Sequence, residues 1–281
     1  MAAGIFQSLR AEEVKGTGPL PPSPAIPENV IVKTDVAYGT AGGQSLLADL
    51  YLPKQRSKPT PAIIFIHGGG WVVGDKRQVW PVYLDFVKEG FAVLSIDYRL
   101  KAPYPAAVED CQRAVRWLRS RAQEYNIDPE KFGAIGQSAG GHLASLLGLT
   151  EAGGANGDPL ERYSSQVQAV VNQFGPTQIS AGDFGYGIPF PYDDSCHCLG
   201  TINHAASPYY LVTSNAAPFL LIQGGRDPTV NPENMICFAR ALYRANVEVS
   251  LVIWPNTGHG NGNFDAESWQ ESIRFFHRHL K

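Results

Sequence analysis

Short apolar runs of strand length alternate along the chain with longer stretches in which apolar residues recur at helical spacing. The runs near 31–38, 46–52, 62–66, 91–96, 131–135, 167–174, 217–223 and 247–254 are β-rich and bounded by turn residues, which predicts eight strands. Helices are expected between them near 77–89, 105–124, 139–149, 232–245 and 265–280. In the last of these, Trp269, Ile273, Phe276 and Leu280 fall on one helical face, which reads as a scaffold helix packed on a sheet. Strands separated by helix-length crossovers imply a mostly parallel sheet with helices on both faces, the α/β class. No helix intervenes between the first two strands, so they are expected to form an antiparallel edge.

Two segments break this alternation. Residues 16–28 carry five prolines, which remove backbone donors and restrict their neighbours, so residues 1–29 read as an extended lead-in to a single domain, 30–281. Residues 178–203 form an insertion too long for an ordinary connection, interrupted by Gly182, Gly185, Gly187, Pro189 and Pro191 and rich in bulky rings. Phe184, Tyr186, Phe190 and Tyr192 do not recur at helical spacing there. The insertion is expected to act as a small lid whose rings, with Trp71, contact substrate.

Composition narrows the function classes. Apolar residues make up 44% of the 281 and charged residues 17%, with 29 Gly and 21 Pro, which suits a compact, turn-rich protein and excludes a disordered, coiled-coil or collagen-like chain. The net charge of -3 is spread without a basic stripe for nucleic acid or a polybasic segment for anionic lipid, so a small-molecule partner is expected. No run approaches the roughly 18 apolar residues of a spanning helix, and no basic region followed by an apolar run opens the chain. Its four cysteines are too few for a disulfide scaffold, and a reducing cytoplasm is the default expectation. Cys196-His197-Cys198 is spaced too tightly for a zinc knuckle, so no metal is expected; a labile disulfide through either cysteine, or plain buried thiols, are the alternatives.

Gly136-Gln137-Ser138-Ala139-Gly140 matches G-x-S-x-G, modest evidence alone but set between an apolar strand and a small-residue helix. That context is the strand, sharp turn and helix that expose a nucleophilic serine; the bland reading is a helix N-cap. A serine hydroxyl needs a base, and the base an orienting carboxylate. Asp227 follows a strand and a glycine turn, where open α/β sheets place ligands, and is favoured over Asp193 and Asp194. His259, in Gly258-His259-Gly260 after the last strand, completes the order serine, acid, histidine. His277 and His279 belong to the terminal helix, and His142 is expected to pack or hydrogen-bond. His67-Gly68-Gly69-Gly70-Trp71 follows the third strand, and its glycines leave backbone amides bare. The amides of Gly69, Gly70 and Ala139 are therefore the expected oxyanion-hole donors.

With these motifs, and with Asp97-Tyr98-Arg99-Leu100 and Tyr104 to Asp110, residues 30–281 resemble the α/β-hydrolase superfamily. The resemblance is to esterases related to hormone-sensitive lipase and to the bacterial feruloyl/acetyl-xylan esterase-like (BD-FAE-type) group. It implies an eight-stranded hydrolase that needs no cofactor and forms an acyl-serine intermediate on short-chain, acetyl or small aromatic carboxylic esters. The proline-rich lead-in departs from the two-helix cap of the hormone-sensitive-lipase group. Kynurenine formamidases are similar in loop and triad, which keeps an amidase as an alternative. The gibberellin receptor, a non-catalytic relative, is a second alternative, but such receptors lose the base histidine that His259 supplies here. Arg99 and Glu109 are expected to pair behind the sheet. Oligomeric state is not legible.

Overall fold

The computed structural model describes residues 26–79, 81–151, 157–180, 201–260 and 265–281. All but 26–29 of the lead-in, and residues 181–200 with all four insertion rings, Asp193, Asp194 and the Cys-His-Cys run, lie outside them.

β1 (Val30–Ala41) turns into β2 (Gln44–Pro53) through Gly42 and Gly43, at φ 58° and 77°. Two consecutive positive φ values are what a two-residue hairpin of right-handed twist requires, and glycine adopts them without a Cβ clash. The chain continues as β3 (Thr60–Ile66), α1 (Tyr83–Lys88), β4 (Ala92–Ile96), α2 (Ala106–Ser120), α3 (Ala122–Tyr125) and β5 (Ile127–Gln137). It then runs through α4 (Ala139–Leu149), β6 (Ala169–Gln173), β7 (Phe219–Gly224), α5 (Glu233–Arg244), β8 (Val249–Trp254) and α6 (Asp265–Leu280). The strands form one sheet in the order β1-β2-β4-β3-β5-β6-β7-β8. β2 runs antiparallel to both β1 and β4, and every other pairing is parallel, so the expected antiparallel edge and parallel body are both present.

Side chains alternate along the buried strands and feed two cores. Ile64, Leu94, Ala134, Val170 and Leu221 face α2, α4 and α5, where they meet Leu118, Leu143 and Phe238. Ile63, Phe65, Val93, Ile135 and Ile222 face α1 and α6, where they meet Phe86 and the predicted stripe Trp269, Ile273, Phe276 and Leu280.

Two helices differ from expectation. The helix expected at 77–89 begins only at Tyr83. Pro81 disfavours helical backbone upstream of itself, and the side chains of Lys76 and Gln78 are held outside the segment, Lys76 by Asp35, Asp49 and Asp97 and Gln78 by the Gly68 amide. The helix expected at 105–124 stops at Ser120 and resumes as the single turn α3, closed by Asn126 at φ 51°. The expected pair of Arg99 with Glu109 is present, but a closer partner joins it. Arg99 Nε donates to both oxygens of buried Asp110 at 2.8 and 2.9 Å, and Glu109, half exposed, is a peripheral second partner at 3.3 Å. The ends of the insertion are held together by a bridge between Ser180 and Ile202. Among the described residues no helix is long and apolar enough to cross a membrane.

Candidate active site

Parallel strands deliver their carboxyl ends to one side of the sheet, and four of them deliver the motif residues. The glycine loop follows β3, Ser138 follows β5, Asp227 lies three residues beyond β7, and His259 lies five beyond β8.

Ser138 sits at φ 53° and ψ -120°, a conformation that L-residues avoid unless their surroundings impose it. Its amide donates to the Gln173 carbonyl at 2.9 Å on the neighbouring strand. The flanking glycines let strand and helix close around it: a Cβ on Gly136 would overlap the Gly140 carbonyl, and a Cβ on Gly140 would overlap that of Ile66. Ser138 occupies the N-cap position of α4, yet its hydroxyl makes no capping hydrogen bond. It lies instead 2.9 Å from Nε2 of His259.

His259 Nδ1–H donates to Oδ2 of Asp227 at 2.7 Å, which leaves the Nε2 lone pair to accept from the serine hydroxyl. The Asp227 side chain is wholly buried and the His259 ring partly open. Oδ1 of Asp227 accepts from the amides of Thr229 and Val230 at 2.8 and 2.9 Å, and Oδ2 accepts also from Gln223 Nε2 at 2.9 Å. Burial pushes the Asp227 carboxyl up, but the bonds from His259, Val230 and Thr229 outweigh it and hold the group below its ordinary value. Phe174, itself at φ 44°, packs edge-on to the His259 ring at 4.8 Å.

The glycine loop is anchored from three sides. His67 stacks on Tyr98 with ring centres 4.3 Å apart and donates from Nδ1 to the Gly68 carbonyl at 2.7 Å. Lys76 is buried beside Asp35, Asp97 and Asp49 at 2.9, 3.4 and 3.8 Å, and its amide donates to Asp97 Oδ1 at 2.7 Å. The Gly68 amide donates to Gln78 Oε1 at 2.7 Å. Gly68 is thereby used, and among the described residues the amides of Gly69, Gly70 and Ala139 have no acceptor. Gly68 abuts the elbow closely enough that a Cβ there would press on the Gln137 carbonyl.

Trp71, expected to contact substrate, is buried in the core beneath the loop, edge-on to His142 at 5.3 Å. His142 donates from Nε2 to the Ala206 carbonyl at 2.6 Å, and burial pushes its pKa down to about 4, so it packs as expected. His277 pairs with Glu89 at 3.0 Å. Reading the sequence missed Gln78 and Gln223. For Gln223 a signal existed, a lone amide in the otherwise apolar run Phe219 to Ile222; for Gln78 there was none. Cys111 is free, whereas Cys237 on α5 is disulfide-bonded, a feature not expected of a reducing compartment.

Comparison with known proteins adds an independent line. The BD-FAE family model matches residues 48–242. Esterase LipC of Mycobacterium tuberculosis is 34% identical over 248 residues, covering 80% of this chain and 59% of that protein. The chain spans less than two thirds of the length of the first curated relatives it matches. A truncated carbohydrate esterase from gut microbiota superposes with a TM-score of 0.75 at 27% identity, covering 92% of this chain and 99% of that one. Thermogutta terrifontis esterase 2, solved phosphorylated by paraoxon, gives a TM-score of 0.72 at 28% identity over 88% of this chain and 91% of that one. The same esterase has been solved with propionate and with butyrate bound.

Proposed function

The chain belongs to the BD-FAE family and carries the α/β-hydrolase fold, and from that premise we propose that it is a serine carboxylesterase acting on short-chain or small aromatic carboxylic esters. The observation that carries the proposal is the unbroken line from Ser138 Oγ through His259 to Asp227, at 2.9 and 2.7 Å. His259 Nε2 takes the hydroxyl proton as Ser138 Oγ attacks the ester carbonyl. The oxygen of the resulting tetrahedral intermediate accepts from the amides of Gly69, Gly70 and Ala139, which have no other acceptor among the described residues and need not reorganise as charge develops. Collapse breaks the bond to the alcohol oxygen, which receives the proton from His259. Water, deprotonated by the same imidazole, then cleaves the acyl-Ser138 ester. Asp227 orients the ring and stabilises it while it carries the extra proton.

A preference for short acyl groups rests on the insertion, which is too short and too broken by glycine and proline to build the apolar trough of a long-chain lipase. The carboxylates bound by the Thermogutta relative, propionate and butyrate, agree with that size. Each fitting methylene adds about 0.8 kcal/mol of burial, so kcat/KM over a nitrophenyl ester series is expected to peak between acetyl and butyryl and fall steeply by decanoyl. A maximum at octanoyl or beyond contradicts the pocket size, and faster turnover of N-formylkynurenine than of any ester contradicts the esterase reading. The cytoplasmic expectation stands against the disulfide at Cys237; thiol blocking before isolation, followed by mass analysis of Cys237, decides between them.

A further inference from the structure

Gln223 is the last residue but one of β7 and is fully buried. Three acceptors converge on its side-chain nitrogen: Asp227 Oδ2 at 2.9 Å, the Val230 carbonyl at 3.1 Å and the Gly224 carbonyl at 3.3 Å. That environment fixes the amide orientation, since turning it over would aim Oε1 at a carboxylate and two carbonyls. The consequence is costly. Oε1 is left buried with no donor among the described residues. An apolar side chain would fill the same space without the orphaned Oε1, but it would take a donor from both the Asp227 carboxylate and the Val230 carbonyl, so the glutamine is there for what its nitrogen donates to and not for packing.

We propose that Gln223 is a positioning residue for the esterase reaction, acting through Asp227: it fixes the oxygen that accepts from His259 and so sets the direction of the imidazole toward Ser138. Oδ1 is held by the amides of Thr229 and Val230, which belong to the acid's own turn and move with it. Gln223 is the donor that ties the carboxylate to the strand, and thus to the sheet that also carries Ser138. Its bond falls on Oδ2, the oxygen that faces His259. The inference rests on the assignment of Asp227 as the acid of the triad.

The test is a double-mutant cycle on nitrophenyl acetate with Gln223→Met, Asp227→Ala and the pair, following kcat, KM and thermal midpoint. Gln223→Leu repeats the single measurement with an apolar side chain of different shape. Losing a hydrogen bond to a charged group predicts that Gln223→Met lowers kcat by about tenfold or more. KM should not change, because the side chain does not touch the ester; the midpoint is followed separately, because Gln223→Met removes the orphaned Oε1 but also takes a donor from the buried Val230 carbonyl. In the Asp227→Ala background the same change should have no further effect on kcat. An unchanged kcat in Gln223→Met beside a crippled Asp227→Ala overturns this inference alone. So does an equal loss of kcat in both backgrounds, which makes Gln223 a packing residue. Full activity in Asp227→Ala overturns the acid assignment and the inference with it.

Discussion

His142 lies one turn into the helix that follows Ser138, fully buried, where a charged imidazolium would lose its hydration. Burial pushes its pKa down to about 4, against about 6.5 in an unfolded chain. A histidine kept neutral by the fold contributes stability that is complete above the unfolded value and is lost as pH falls toward the folded one. Between pH 6.5 and 4 that loss amounts to about 3 kcal/mol. In His142→Gln, whose amide can still donate to the Ala206 carbonyl, denaturant unfolding at a series of pH values should lack this part of the acid slope; an unchanged slope contradicts the assignment. Ser138, Asp227 and His259 were legible because each follows a strand into a glycine turn, a local requirement written in neighbouring residues. Gln223 and Gln78 were not, since an amide's partner depends on chain returning from elsewhere: Val230 comes back to β7, and Gly68 lies across a loop.

Helix α4 illustrates what the elements contribute. It docks on β3 so closely that Gly140 has the Ile66 carbonyl where a side chain would be, and this contact seats the first turn of the helix, with Ala139 and Ser138, beside the glycine loop. Gly140→Ala forces the helix outward. Such overpacking costs about 1–3 kcal/mol, and activity should drop by more than the folded fraction does, because the serine moves relative to the amides of Gly69 and Gly70. Parallel denaturation and activity measurements check this, and a variant of full activity would show that the close approach is not needed. At this scale the sequence was legible wherever apolar periodicity governed, as in all eight strands and the α6 stripe. It failed at α1, where the segment from Lys76 to Val82 is shaped by a buried ammonium among three aspartates and by Pro81, not by its own periodicity.

The whole molecule acts as a frame that gathers distant chain positions onto one side of a parallel sheet. Ser138 and His259 are 121 residues apart in sequence and 2.9 Å apart in space. The two cores hold that geometry from both faces, which is why topology could be argued from alternating strands and helices before any contact was known. What the sequence could not supply was the covalent state of Cys237, because its spacing to the other cysteines carries no pairing rule. The central claim is that this frame makes one serine, Ser138, the nucleophile. It is tested most directly by inactivating the protein with paraoxon and mapping the modified peptide by mass spectrometry. The account predicts a single diethylphosphoryl adduct on Ser138, formed in step with the loss of ester hydrolysis and absent from Ser138→Ala, whose activity should be lower on the order of 10⁶-fold. An adduct on any other serine, or near-normal hydrolysis by Ser138→Ala, would contradict it.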